Sequence, residues 1–96
     1  MNYIMKKNSE KYLFGFISHD SNVKDIVHIV EPYMIIEAED DVQAMVNYCT
    51  IHDIASHNTA ELIAKKSGSV WWKITKYLSH EQTASIIEKL EENISI

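Results

Sequence analysis

The chain has 96 residues, of which 46% are hydrophobic and 24% are charged, and its formal net charge at pH 7 is −5. This length supports one hydrophobic core. With only two glycines and one proline, the chain contains no segment with the composition of a flexible linker, so we expect a single compact domain over residues 1–96. All nine basic residues are lysine, which excludes the bidentate arginine contacts used to recognise phosphate and guanine. A lone cysteine and the lack of a long apolar run predict a cytoplasmic protein without a membrane helix.

The first forty residues contain two predicted strands with an ambiguous segment between them. Tyr12–Ser18 and Tyr33–Ala38 are short and rich in aromatic and β-branched residues, which is typical of strands. Residues 23–30 fit either a short helix or a strand. Proline has no backbone N–H and restricts the residue before it, so we expect Glu31-Pro32 to end whichever element precedes it.

A change of hydrophobic period at Asp41 predicts the first helix, which ends near Asp53. Apolar residues recur here at the i, i+3, i+4, i+7 spacing of a helix that buries one face. The predicted buried stripe consists of Val42, Met45, Val46 and Cys49, with Tyr48 and Ile51 at its margin.

The second half of the chain ends in a predicted strand and a predicted helix. Ala60–Lys66 fits a strand or a helical turn, and Lys66–Ser69 is a predicted turn in which Gly68 can take a positive φ. Val70–Leu78 alternates as a half-buried strand does. Ser79 and Gln82 have the spacing of a capping box at the start of a helix. That helix is predicted to bury Ile86, Ile87, Leu90 and Ile94.

This order of elements predicts an α+β fold. We expect a sheet of three or four largely antiparallel strands with two helices packed on one face. If residues 23–30 form a helix, the alternative is a ferredoxin-like sandwich that contains a βαβ unit.

Negative charge is concentrated in residues 25–64, which contain eight acidic residues and no lysine. Asp40 is placed to cap the first helix and Asp41 to lie in its first turn, so both have a structural role. A negative block of this kind repels nucleic acid and attracts basic proteins. The predicted partner-binding acids are Glu37, Glu39, Asp40, Asp41, Asp53 and Glu61.

The adjacent tryptophans fall on opposite faces of the strand predicted at Val70–Leu78. Trp72 is on the apolar register and is predicted to be core, whereas Trp71 shares the other face with Tyr77. With both helices on one side, Trp71 and Tyr77 would contribute to an open aromatic face. A covering segment or a protein interface, including a homodimer through the Trp71/Tyr77 face, would explain it. Stacking of RNA bases is less favoured because only Lys73 and Lys76 are near.

Three residues have a spacing that suggests zinc ligands: Cys49, His52 and His57. Structural zinc sites take four ligands, mostly paired, and the fourth would have to be Asp53 or a remote histidine. The spacing therefore favours a buried thiol beside solvated imidazoles, with no metal and no cofactor. Phosphate-binding loops, dinucleotide fingerprints and nucleophile elbows are absent from the sequence, so we predict a protein that is not an enzyme.

In size, acidity and lack of an enzyme motif, the chain resembles the small acidic accessory proteins of phages and mobile elements, including anti-CRISPR and other anti-defence inhibitors. The resemblance implies an inhibitor in the host cytoplasm that binds a basic, nucleic-acid-binding host protein through an acidic surface. It assigns no residue roles, because no motif supports it. Two alternatives are a small metal- or ligand-binding protein or enzyme that uses Cys49, His52 and His57, and a self-associating structural protein.

Overall fold

The computed structural model describes residues 9–20, 26–52 and 59–94. The elements in chain order are β1 (Glu10–Asp20), β2 (Ile26–Ala38), α1 (Asp41–Ile51), β3 (Thr59–Ser67), β4 (Val70–Lys73) and α2 (His80–Ile94). The strands form one antiparallel sheet in the order β2-β1-β3-β4, which confirms the predicted α+β fold. Neither described helix has the length and apolar character of a membrane span.

β2 is one continuous strand, so the prediction that Glu31-Pro32 ends the preceding element is wrong. The pairing with β1 passes from Phe14↔Met34 to Phe16↔Val30, which leaves residues 31–33 opposite Gly15 as a bulge. A proline is tolerated there because β2 is an edge strand and a bulged residue needs no N–H for the ladder. The ambiguous segment 23–30 is therefore strand from Ile26 onward, and residues 23–25 lie outside the described part.

Gly15 lets the bulge pack directly onto β1. A Cβ at this position would lie 2.8 Å from Ile29 Cγ2 and 2.9 Å from Tyr33 Cδ1, which is closer than carbon atoms approach without a shift. The Tyr33 ring is held in place by its hydroxyl, which donates a hydrogen bond of 3.0 Å to the Ile29 carbonyl oxygen. Burial, followed by the charge of Glu31, raises the pKa of Tyr33, so the phenol stays protonated at neutral pH.

The two helices lie on opposite faces of the sheet, so the prediction that they pack on one face is wrong. Successive strand residues point to opposite faces, and β1 therefore supplies two separate clusters. The aromatic cluster under α1 contains Tyr12, Phe14, Phe16, Ile36, Ala38, Ala44, Tyr48 and Ala60. The aliphatic cluster under α2 contains Leu13, Ile29, Ile63, Ala64 and Ile87. This arrangement also excludes the ferredoxin-like alternative, whose helices share one face.

The β3–β4 hairpin is shorter than the sequence predicts. Ala60–Lys66 is strand within β3, and Gly68 has a φ of 66°, which confirms the predicted turn. Pairing ends at Lys73, because the N–H groups of Ile74 and Thr75 both donate to the Ile63 carbonyl oxygen, at 2.8 and 3.1 Å. The predicted strand Val70–Leu78 is therefore correct only in its first four residues.

α2 begins with the predicted capping box. The Gln82 backbone N–H donates to Ser79 Oγ at 3.0 Å, and the Ser79 backbone N–H donates to Gln82 Oε1 at 2.8 Å. Ile87 is buried, and Ile86 and Leu90 are half-buried against the aliphatic cluster, as predicted. The side chain of Ile94 lies outside the described part of the structure.

Candidate protein-binding surface

α1 turns most of its predicted buried stripe toward solvent. Val42 is 69% exposed, Val46 53% and Met45 40%, and only Cys49 of the stripe is half-buried. The residues that the helix buries are Ala44 and Tyr48, both fully. The prediction that Val42, Met45 and Val46 form the core-facing stripe is therefore wrong. We call these three side chains the α1 surface.

Tyr48 explains the rotation of α1. Its ring stacks on Phe14 with centroids 5.2 Å apart and lies 5.0 Å from the ring of Phe16. Its hydroxyl donates a hydrogen bond to the carbonyl oxygen of Pro32, in the bulge of β2. Burial is the main cause that raises the pKa of Tyr48, so the phenol remains a donor. The aromatic ring with its satisfied hydroxyl occupies the site that the aliphatic stripe would otherwise fill.

An apolar groove of about 450 Å³ runs beside the α1 surface. Leu62 of β3 forms its far wall. Its α1 wall consists of Asp41, Val42, Met45, Val46, Cys49 and Thr50. The groove lies on the side of α1 that faces β3, whereas the opposite flank of α1 faces Met34 and Ile36 of β2.

The two tryptophans have the opposite placement from the prediction. Trp72 is 61% exposed, whereas Trp71 is half-buried against the aliphatic cluster under α2. Trp71 Nε1 also donates to a carboxylate oxygen of Glu91 in α2, over 3.4 Å. Because α2 covers Trp71, this residue and Tyr77 form no open aromatic face. Tyr77 lies beyond β4, exposed, with Lys76 Nζ 5.5 Å from its ring centroid.

β4 presents a second exposed apolar surface, on the same side of the sheet as α1. Val70, Trp72 and Ile74 are all at least half exposed, and we call them the β4 surface. Trp72 pairs in register with Lys65, whose Nζ lies 6.0 Å from the ring of Tyr12 in the aromatic cluster. Since Tyr12 faces α1, the β4 surface faces the same way. α1 packs over β1, β2 and β3, and the groove lies along its β3 side. β4 is the edge strand next to β3, so the β4 surface lies beyond the groove.

The predicted acidic residues do not form one surface. Asp40 and Asp41 lie exposed at the N-terminal end of α1, and Asp40 Oδ1 accepts from the Gln43 N–H at 2.8 Å as the predicted cap. Glu39 is exposed next to them. Asp53 lies outside the described residues.

Glu37 and Glu61 point to the other side of the sheet. Glu37 alternates with Ile36 of the aromatic cluster, and its carboxylate accepts from Ser9 Oγ at 2.9 Å. Glu61 is half-buried and accepts from the buried hydroxyl of Thr75 at 2.8 Å. Glu37 therefore lies on the opposite side of the sheet from Asp40 and Asp41, although the three are close in sequence.

The metal candidates are only partly within the described structure. Cys49 is half-buried at the groove, and His52 is the C-cap of α1, with its ring 5.0 Å from that of Tyr48. His57 lies outside the described residues. Over residues 9–20, 26–52 and 59–94, no three side chains of His, Cys, Asp or Glu are grouped to hold a metal ion.

Comparisons with known proteins find no matching family model, no matching curated protein and no matching solved structure. The chain's own geometry therefore supplies the evidence for function. Val42, Met45, Val46, Val70 and Ile74 were not predicted as site residues, because helical and strand periodicity assigned them to the core. The sequence feature that could have indicated the other rotation of α1 is Tyr48. It is adjacent to Cys49 of the predicted stripe, and its side chain is larger than that of any stripe residue.

Proposed function

We propose that this chain is a non-enzymatic protein–protein interaction module that binds through the α1 surface and its groove. The observation that carries the proposal is the exposure of Val42, Met45 and Val46 side by side on one helix. Soluble monomers rarely leave a contiguous apolar patch in water unless it is an interaction site. The groove beside this patch offers a concave surface for a side chain of the partner.

Charge favours a partner with a basic rim around an apolar centre. Asp40 and Asp41 stand at one end of the α1 surface, and α1 itself contains no lysine. Acidic rims attract basic surfaces in a salt-dependent way and set the orientation of docking more than they add affinity. Nucleic-acid-binding proteins carry such basic surfaces. On this proposal the chain inhibits a protein of that class by occupying its basic groove.

Affinity capture from a lysate of the native host, at low and high salt, tests this proposal. Val46→Glu places a charge at the centre of the α1 surface, and we expect it to abolish capture of the partner. Asp40→Asn with Asp41→Asn removes the rim charge but keeps a capping side chain, because asparagine caps a helix as well as aspartate does. We expect this pair to weaken capture at low salt by roughly 2- to 25-fold, about 0.5–2 kcal/mol for two exposed charges.

The matched control is Ser85→Glu, which adds the same charge to an exposed position of α2 on the other side of the sheet. Lys89 follows four residues later, so the new glutamate is compatible with the helix. We expect this variant to capture the partner as the unmodified chain does. Equal capture by the Val46→Glu variant would show that the α1 surface is not the binding surface.

A further inference from the structure

We infer that, in the absence of its host partner, the α1 surface is occupied by a second copy of the chain, whose β4 surface packs against it in a two-fold dimer. The inference rests on the proposed function, since the dimer would use the same surface and compete with the host protein for it. Both surfaces are exposed, apolar and on one side of the sheet. A self-complementary pair of this kind is what a closed, isologous dimer requires.

The shapes of the two surfaces are complementary. α1 stands on the sheet as a ridge over β1, β2 and β3 and leaves the face of β4 open beside it as a step. When one copy is turned over onto another, the ridge of each lies on the step of the other. Trp72 is 61% exposed and projects from the step, and the groove beside the ridge is the concavity that it meets. Buried tryptophans of this kind dominate binding energy at many interfaces.

The direction of the elements agrees with this packing. α1 begins just after Ala38, which pairs with Glu10, and proceeds to Tyr48, which contacts Phe14 and Phe16 further along β1. On β4, Trp72 lies near the end of the sheet at which α1 begins, and Ile74 lies further toward the other end. A two-fold axis parallel to the strands leaves the direction of α1 and β4 along the sheet unchanged in the second copy. It places Trp72 of the second copy opposite Val42 and Met45, and Ile74 opposite Val46.

Charge complements the apolar contact at one end. The same axis places Asp41, which lines the groove, near Lys65 of the second copy, because Lys65 is the register partner of Trp72. Within its own chain Lys65 Nζ is 3.3 Å from the carboxylate of Glu10 and remains partly exposed. A second acidic neighbour is therefore compatible with its position. Rim pairs of this type fix register more than they add affinity.

Sedimentation equilibrium of the purified full chain, over roughly 1–500 μM, measures the dimer directly. We expect a reversible monomer–dimer equilibrium in this range. Val46→Glu and Trp72→Asp are each expected to raise the dissociation constant by about 100-fold or more, as loss of a central anchor does. Ser85→Glu is the control and is expected to leave the constant unchanged. Urea unfolding at low concentration checks that each variant folds.

A charge swap tests the orientation. Asp41→Lys and Lys65→Glu are each expected to raise the dissociation constant by about 5-fold, and the double variant to restore most of the loss. A chain that stays monomeric at every concentration, or a dimer that Val46→Glu and Trp72→Asp leave unchanged, would overturn the inference. A monomer that still captures a host protein in a Val46-dependent way would overturn the inference and leave the proposed function intact.

Discussion

Tyr48→Ala is expected to lower the free energy of unfolding by about 3–5 kcal/mol, measured by urea denaturation at low protein concentration. The side chain is fully buried, stacks on Phe14, contacts Phe16 and donates to the Pro32 carbonyl oxygen. Truncation removes the ring from the aromatic cluster and leaves that carbonyl oxygen without its donor. Small domains have only about 5–15 kcal/mol of stability in total, so this variant should lose a large fraction of its free energy of unfolding.

Tyr48→Phe is the matched control, because it keeps the ring and removes only the hydroxyl. We expect it to cost about 0.5–1.5 kcal/mol, the net contribution of a typical hydrogen bond, because this hydrogen bond is only part-buried. A cost below about 1 kcal/mol for Tyr48→Ala would contradict the placement of Tyr48 as the residue that anchors α1 to the sheet.

Trp71→Ala and Trp72→Ala are expected to differ sharply in their effect on stability. Trp71 is half-buried between the sheet and α2, so its loss should lower the free energy of unfolding by about 2–3 kcal/mol. Trp72 is 61% exposed, so at concentrations where the chain is monomeric its loss should change stability by no more than about 0.5 kcal/mol. Urea unfolding of the two variants measures both values.

Tryptophan fluorescence supplies an independent control for the same pair. The variant that retains only Trp71 should emit at shorter wavelength than the variant that retains only Trp72, because the indole of Trp71 is the more buried. The reverse order of stabilities and of emission wavelengths would contradict this placement. It would mean that Trp72 is in the core, as strand alternation alone predicts.

The strands and helix starts were predictable because local chemistry determines them. Aromatic residues at every second position form β1, and the capping side chains of Asp40 and Ser79 set the first turns of α1 and α2. The continuation of β2 through Pro32 was not predictable in the same way. A proline breaks an inner strand but is accepted in the bulge of an edge strand, and that depends on Gly15 across the sheet.

The faces of α1 and β4 could not be predicted, because they depend on contacts between elements distant in sequence. The period of α1 fits two rotations, and the deciding contact is the Tyr48 hydroxyl with the Pro32 carbonyl oxygen, sixteen residues away. On β4, the half-exposed hydrophobic residues Val70 and Ile74 fit the alternation of a core face equally well. Trp71 is the buried tryptophan instead, because α2 packs its apolar side against it and Glu91 accepts its hydrogen bond. The candidate surface emerged only once these contacts were known.

Urea unfolding of the double variant Val42→Gln with Val46→Gln tests the central claim, that α1 leaves an apolar face free for a partner. Glutamine favours a helix slightly more than valine does. At monomeric concentration we expect a free energy of unfolding within about 0.5 kcal/mol of the unmodified chain for each substitution. A loss of about 3 kcal/mol or more would mean that the stripe is buried in the core, and would remove the surface on which both proposals depend.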